Sequence, residues 1–106
     1  PGLTAQGRGN MERHLLTAAE LDAFVKEIPE WSVAGDALER TYRFADFVHA
    51  FAFMSAVAMH CERLNHHPEW SNVYGVVKIR LTTHDRGGVT SLDTTLALLM
   101  EEFASG

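Results

Sequence analysis

Three histidines lie beside acidic residues and a proline in two short segments of this chain. Residues 62–70 read ERLNHHPEW, which places His66 next to His67, and residues 82–85 read TTHD, which contain His84. Imidazole is the side chain that ordinarily changes charge near neutral pH, so a group of imidazoles indicates proton transfer. The pattern predicts an acid–base site built from these three residues.

Spacing and backbone rules give the first two imidazoles different surroundings. Glu62 precedes His66 by four residues, so the two side chains would share a face on the last helical turn. A carboxylate there favours the protonated imidazole, as does the negative end of the helix. Pro68 disfavours helical backbone at His67, which predicts that the helix ends there. We expect the two imidazoles to point differently and to serve two proton sites on one ligand.

The same histidines allow simpler interpretations. Histidines at helix ends often only hydrogen-bond to the last carbonyl groups, and three histidines could instead ligate zinc. The carboxylates do not follow a familiar ligand spacing such as HExxH, so the pattern favours proton transfer over a metal. Three further histidines lack such neighbours and are predicted to be surface or interface residues: His14, His49 and His60.

Three other residues have both a structural and a functional interpretation. Trp70 fits the core, but its place after the histidines also fits the wall of a site for an aromatic ligand. Asp93 fits a helix cap better than a catalytic group. Cys61 has no evident activating base and is interpreted as a small buried hydrophobic residue.

Length and composition indicate one compact domain. The chain has 106 residues, of which 46% are hydrophobic, enough for a substantial core. A formal net charge of −5 without a basic cluster argues against direct nucleic-acid binding. The single cysteine excludes an internal disulfide and fits a reducing compartment.

The chain shows no pattern of membrane insertion or export. No apolar run reaches membrane-spanning length and the N-terminus lacks a signal-peptide pattern, so we expect no membrane partner. The cytoplasm is the expected compartment, with the nucleus as the second choice. Residues 1–10 are interpreted as a disordered tail or a cloning remnant, and residues 11–106 as the single domain.

Local signals predict a helix and a hairpin in the first half of this domain. Thr17 and Glu20 form a capping-box pattern, and apolar residues follow with helical spacing up to Pro29, at Leu21, Phe24, Val25 and Ile28. Alternation on both sides of a turn at Gly35 then predicts two paired strands. Arg40 interrupts the alternation of the second strand.

A long second helix is predicted to begin after Asp46, which fits an N-cap. The stripe expected to face the core comprises Phe47, Phe51, Met54, Ala58 and Cys61, whereas Phe53, Val57 and Met59 lie off it. This apolar excess predicts either self-association or a deeper core, and the sequence leaves both open.

The second half repeats the pattern of a hairpin followed by a helix. Val77, Ile79 and Leu81 alternate with polar residues in a strand that follows a turn at Gly75, and Thr90 with Asp93 fits the cap of a last helix. The element order is α-β-β-α-β-β-α. It predicts an α+β fold with a four-stranded antiparallel sheet and three helices packed on one face.

These motifs together resemble the pterin-4a-carbinolamine dehydratase family, also known as the dimerisation cofactor of a homeodomain transcription factor. The resemblance rests on Glu62, on HHPEW at residues 66–70 and on TTHD at residues 82–85, and it extends from about Leu16 to Ala104. It implies the α+β fold given above, a homo-oligomer with a tetramer favoured over a dimer, no metal and no cofactor.

The resemblance also implies an activity and its residues. The reaction is dehydration of 4a-hydroxytetrahydrobiopterin to quinonoid dihydropterin and water, in tetrahydrobiopterin recycling. A protonated His67 or His84 would act as acid and another imidazole as base. The implied catalytic residues are Glu62, His66, His67 and His84, and the implied substrate contacts are Asn65, Pro68, Trp70, Thr82, Thr83 and Asp85.

Two departures and one alternative accompany the resemblance. Asn65 replaces an aspartate and Asp85 a glutamate found in some relatives, which alters the hydrogen bonds around the histidines. In animals the family also implies a transcription-factor partner, bound through the helical surface. A non-catalytic module that stabilises transcription-factor dimers is therefore the alternative function.

Overall fold

The computed structural model describes residues 14–105 as three helices and one sheet. The predicted tail, residues 1–10, lies outside the described residues. In chain order the elements are α1 (Ala18–Glu27), β1 (Ser32–Ala34), β2 (Ala37–Arg43), α2 (Phe47–Leu64), β3 (Glu69–Val73), β4 (Val76–Leu81) and α3 (Ser91–Ser105), with a 3₁₀ turn (His84–Arg86) before α3. The predicted order is confirmed.

The predicted caps begin the first two helices. Thr17 and Glu20 form a reciprocal capping box at α1, and the Asp46 side chain accepts the His49 N–H (2.9 Å) at the start of α2. The backbone and side-chain hydrogen bonds from His49 lower the pKa of Asp46. These local hydrogen bonds explain why both helix starts could be predicted from a few residues.

The four strands pair antiparallel in the order β1-β2-β4-β3. Side chains alternate between the two faces of the sheet, and the face under the helices buries Leu38, Tyr42, Val77, Ile79 and Leu81. Arg40, which breaks the apolar alternation, lies on this same face, and its guanidinium reaches Glu101 on α3. The helices cover one face and the other is polar, so the predicted α+β fold is confirmed.

The predicted core stripe of α2 is wrong at Phe47, Phe51 and Ala58, whereas Cys61 is buried as predicted and Met54 packs against the core. The helix buries Ala50, Phe53, Val57 and Cys61, whereas Phe47 and Phe51 are about half exposed (50% and 54%). Phe53 packs 5.0 Å, centroid to centroid, from both Tyr42 and Phe44, between the helix and the sheet. Apolar residues occupy both sides of α2, and the shape of the sheet surface decides which side is buried. None of the described helices is long and apolar enough to cross a membrane.

Candidate active site

Helix α2 ends at a residue with left-handed backbone conformation, which changes the direction of the chain just before the histidines. Asn65 has φ +51° and is the C-cap of α2, so the helix stops at Leu64 rather than at His67 as predicted from Pro68. Asparagine tolerates this conformation better than most residues. The backbone N–H of His66 then donates to the Cys61 carbonyl (3.0 Å). This bond holds the backbone of His66 against the last turn of the helix.

His66 turns into the protein and pairs with a carboxylate distant in sequence. Its side chain is 10% exposed, and its Nε2–H donates to Asp93 Oδ1 at 2.5 Å. The predicted partnership with Glu62 is therefore wrong. That prediction assumed a helix continuing through residue 66, and the left-handed Asn65 removes the shared helical face.

His67 is the imidazole that Glu62 does contact. The Nε2–H of His67 donates to Glu62 Oε1 at 2.7 Å, and both side chains are largely exposed. Because the chain reverses at Asn65, His67 faces back along α2 while His66 enters the core. The expectation that the two adjacent imidazoles point in different directions is confirmed.

His84 lies in the 3₁₀ turn that follows β4. The turn is closed at its base by the Thr83 N–H to the Gly88 carbonyl (2.8 Å), and Gly87 ends it with φ +72°, where glycine is unstrained. His84 Nε2 lies 2.7 Å from Glu69 Oε2 at the start of β3. Because β3 begins beside the end of β4, with Glu69 opposite Arg80, His67 and His84 lie at the same end of the sheet.

A buried hydrogen-bond network lies beneath these imidazoles. Asp93, fully buried in the first turn of α3, uses Oδ2 to accept the Thr83 hydroxyl (2.8 Å) and the Thr90 backbone N–H (2.9 Å). The Thr90 hydroxyl donates to Thr83 Oγ1 (2.8 Å) and accepts the Leu92 N–H (3.2 Å). The predicted helix-cap role of Asp93 is confirmed, and the carboxylate also joins α3 to the end of β4 and to His66.

The remaining predicted site residues have varied surroundings. Thr82 is buried, and its hydroxyl donates to the Asp36 carbonyl (2.7 Å). Trp70 is half-buried and packs against the core, and it also borders a cavity of about 560 Å³ on the open side of the sheet. Pro68 is half-buried, whereas Asn65 and Asp85 are exposed. Substrate contact by these residues stays a prediction.

Two acidic residues of the site were not predicted to contact the histidines. Glu69 lies within the recognised HHPEW segment, and its outward position on a strand next to the histidines was an available signal. The link from Asp93 to His66 spans 27 residues and leaves no local trace in the sequence. The capping role of Thr90 was predicted, but its hydrogen bond to Thr83 depends on the tertiary contact between the start of α3 and the end of β4.

On the open side of the sheet beside Glu69, one guanidinium contacts three carboxylates. Arg80 donates to Asp36 Oδ1 (2.7 Å) and Glu39 Oε2 (3.2 Å), and its Nε lies 3.5 Å from Glu69 Oε1. The His84–Glu69 pair therefore continues into an ion-pair network at the rim of the 560 Å³ cavity. Within residues 14–105, no group of three or more His, Cys, Asp or Glu side chains is placed to hold a metal ion.

The site therefore has three imidazoles, each next to its own carboxylate. A carboxylate that accepts an Nε2–H leaves Nδ1 as the nitrogen able to exchange a proton with a ligand, and this applies directly to His66 and His67. Two of the imidazoles are exposed and one is nearly buried. Such a set can supply both an acid and a base to one small molecule.

Comparison with protein families gives one match that spans most of the chain. The family model described as Pterin 4 alpha carbinolamine dehydratase matches residues 14–103. That interval contains all seven helices and strands except the last two residues of α3, and it includes the three imidazoles and their carboxylates.

Individual relatives and a solved structure agree with this match. A protein of Prochlorococcus marinus strain AS9601 is 51% identical over 82% of this chain and 91% of its own length, and one of Novosphingobium aromaticivorans is 51% identical over 83% and 94%. Both share the name pterin-4-alpha-carbinolamine dehydratase. The crystal structure of a transcriptional coactivator/pterin dehydratase from Brucella melitensis superposes with a TM-score of 0.83 at 38% identity, over 86% of this chain and 99% of that one.

Proposed function

This chain belongs to the pterin 4 alpha carbinolamine dehydratase family, and we propose that it is a hydro-lyase that dehydrates a 4a-hydroxytetrahydropterin to quinonoid dihydropterin and water. The observation that carries the proposal is the set of three imidazoles, each beside its own carboxylate, around one end of the sheet. The family supports the substrate class, and the types and placement of the side chains support the acid–base chemistry.

The reaction needs two proton movements and no redox change. The C4a–oxygen bond breaks as the hydroxyl receives a proton and leaves as water, and N5 loses its proton while its electrons form the new double bond. An acid and a base placed on the two sites lower this barrier, and a well-placed imidazole can take either role. Because the substrate also dehydrates unaided, we expect a modest acceleration for an enzyme.

The two exposed imidazoles are the better candidates for the general acid that protonates the C4a hydroxyl. His67 and His84 have side chains that are 56% and 78% exposed, so a ligand at this end of the sheet can reach either ring. We assign proton delivery to the C4a hydroxyl to one of these two residues, and acceptance of the N5 proton to another imidazole. Glu62, which contacts His67, holds that ring rather than His66.

Stopped-flow measurement of carbinolamine decay tests this proposal. We expect His67→Ala and His84→Ala each to lower kcat by roughly tenfold or more, towards the uncatalysed rate. His49→Ala is the matched control, because His49 is also exposed and 2.7 Å from a carboxylate, Asp46, but lies at the other end of α2. Measurements after treatment with a metal chelator show whether the rate needs a metal. Rates equal to wild type in both site variants would contradict the proposal.

The family resemblance supports three finer proposals. We place the reaction in tetrahydrobiopterin recycling, with the cytoplasm as compartment, and we expect the chain to act as a homo-oligomer. The exposed apolar side of α2, defined by Phe47, Val48, Phe51 and Met59, is the surface for self-association. The alternative function, capture of a transcription factor, would use this surface without the histidines, so binding that survives loss of His67 and His84 would favour it.

A further inference from the structure

Arg80, on the open face of the sheet, contacts a different carboxylate with each of its three guanidinium nitrogens. Nη2 donates to Asp36 Oδ1 (2.7 Å), Nη1 donates to Glu39 Oε2 (3.2 Å), and Nε lies 3.5 Å from Glu69 Oε1. The strand register fixes two of these contacts, because Arg80 on β4 is paired with Glu39 on β2 and with Glu69 on β3. The guanidinium is therefore held on three sides.

The contact with Asp36 is also anchored by the fold. Asp36 lies in the turn between β1 and β2, and its carbonyl accepts the hydroxyl of buried Thr82 just after β4. The turn that supplies this carboxylate is therefore tied to the end of the strand that carries Arg80. A single exposed ion pair restrains its side chains weakly, whereas one guanidinium among several placed carboxylates forms a network that restrains them more.

Glu69 joins this network to the imidazole of His84 and uses one oxygen for each partner. Its Oε1 faces Arg80, and its Oε2 lies 2.7 Å from His84 Nε2. His84 belongs to a three-residue 3₁₀ turn and its side chain is 78% exposed, so the surrounding protein restrains the ring little. The carboxylate of Glu69 therefore has a large part in orienting this ring, and Arg80 orients the carboxylate.

The other exposed imidazole of the site lacks this support. In the part of the chain that the structure describes, the side chain of Glu62 is paired with His67 and with no Lys or Arg. Glu62 is 80% exposed, whereas Glu69 is 48% exposed and lies against the guanidinium. Of the two exposed imidazoles, His84 is thus the one whose carboxylate is held in place by a cation.

We propose that Arg80 is a positioning residue for the dehydration: it holds Glu69 and, through Glu69, keeps the His84 ring where it meets the substrate. This inference rests on the proposed function and adds to it a residue that neither histidine segment contains. Without Arg80, the carboxylates of Asp36, Glu39 and Glu69 would repel one another with no cation between them, and Glu69 would turn towards water. No proton passes through Arg80, which does not touch the reacting atoms.

Arg80→Gln tests the inference, with Lys78→Gln as the matched control. Lys78 lies on the same strand and the same face, but its cross-strand neighbours are Thr41 and Ser71 rather than carboxylates. Both changes remove one positive charge from this face, but only Arg80→Gln releases Glu69. In the stopped-flow assay we expect Arg80→Gln to lower kcat by roughly threefold to tenfold with little change in KM, and Lys78→Gln to leave both unchanged.

Two further measurements separate an effect through Glu69 from a general effect on the fold. Glu69→Gln should lower kcat to a similar degree, and the double variant with Arg80→Gln should lose no more, because Arg80 acts through Glu69. NMR of the His84 ring without substrate should give changed signals in Arg80→Gln and wild-type signals in Lys78→Gln. A residue that only stabilised the sheet would give neither result.

Several outcomes would overturn the inference. These are a folded Arg80→Gln protein with the kcat and His84 signals of the wild type, losses that multiply in the double variant, and an equal loss in Lys78→Gln. If Arg80→Gln does not fold, Arg80→Lys keeps the charge but cannot contact three carboxylates at once; it should show the same loss to a smaller degree, and a wild-type kcat would count against the inference. An inactive wild type would instead refute the proposed function, since the NMR comparison does not depend on activity.

Discussion

The three imidazoles of the site differ most in the solvent exposure of the carboxylates that they contact. The carboxylate beside His66 is buried, whereas those beside His67 and His84 are exposed. In exposed pairs, solvent and side-chain entropy offset most of the attraction. Loss of Glu62 should therefore affect activity less than loss of Asp93, although both carboxylates contact an imidazole of the site.

Two buried weak acids make the free energy of unfolding vary with pH in the alkaline range. Burial raises the pKa of the Cys61 thiol from 9.0 to about 11, and burial also raises the pKa of Tyr42. The folded state binds these protons more tightly than the unfolded state, so the stabilisation is complete below pH 9 and is lost as the pH rises towards 11.

We predict that the free energy of unfolding falls across this interval and that Cys61→Ala reduces the fall by roughly 2 kcal/mol. Urea unfolding at several pH values measures the effect. Tyr42→Phe is the companion variant and should reduce the part of the fall that occurs at the higher pH. An identical pH dependence in wild type and Cys61→Ala would show that the thiol ionises equally in both states.

Among the elements, α3 is held to the sheet by a carboxylate near each end. Asp93 joins its first turn to β4 through Thr83, and Glu101 joins its last turns to the sheet through Arg40 and Tyr42. The Trp31 indole N–H also donates to Glu101 (3.0 Å). The helix that carries Asp93 is therefore positioned at both ends, which limits how far Asp93 can move relative to His66.

Helix α2 presents one apolar side to the sheet and another to solvent, and a matched pair of phenylalanines tests this assignment. We predict that Phe53→Ala lowers the free energy of unfolding by about 3 kcal/mol or more, because it leaves a cavity between Tyr42 and Phe44. Phe51→Ala should cost less than about 1 kcal/mol in dilute protein, since Phe51 is half exposed.

Denaturant unfolding at two protein concentrations measures both variants. A cost of Phe51→Ala that appears only at the higher concentration belongs to self-association and leaves the assignment intact. Equal costs at low concentration would mean that the buried side of α2 has been misplaced.

At the scale of the whole molecule, two surfaces of the protein differ in polarity. The open face of the sheet is polar and ends at the histidines, whereas α2 exposes Phe47, Val48, Phe51 and Met59 on the opposite side. A contiguous apolar surface of this kind favours contact with another protein surface. Self-association through α2 would leave the imidazole end of the sheet free for a substrate.

We predict that static light scattering of the wild type gives the mass of an oligomer of the 11.8 kDa chain, with a tetramer favoured over a dimer. The double variant Phe51→Lys and Met59→Lys should have a smaller mass, because charge on this surface opposes association. Val33→Lys, at an exposed apolar residue of β1, is the control and should keep the wild-type mass. A monomeric wild type would refute this prediction.

The sequence by itself determined the element order, the helix caps, the inward faces of the strands and the presence of three histidines at element ends. These features depend on signals within a few residues: a capping box at Thr17, alternation in β4, and the HHPEW and TTHD segments. It also indicated the family through the resemblance carried by those segments, and the family model that matches residues 14–103 confirms it.

Only the tertiary structure decided which carboxylate serves each imidazole and which side of α2 is buried. The His66–Asp93 bond joins residues 27 positions apart, and the choice of Phe53 over Phe51 depends on the surface that β2 offers. One left-handed residue, Asn65, directed His66 to Asp93 and left Glu62 to His67. Local signals act over a few residues, whereas a buried charge or ring is placed by contacts between elements that meet only in the folded chain.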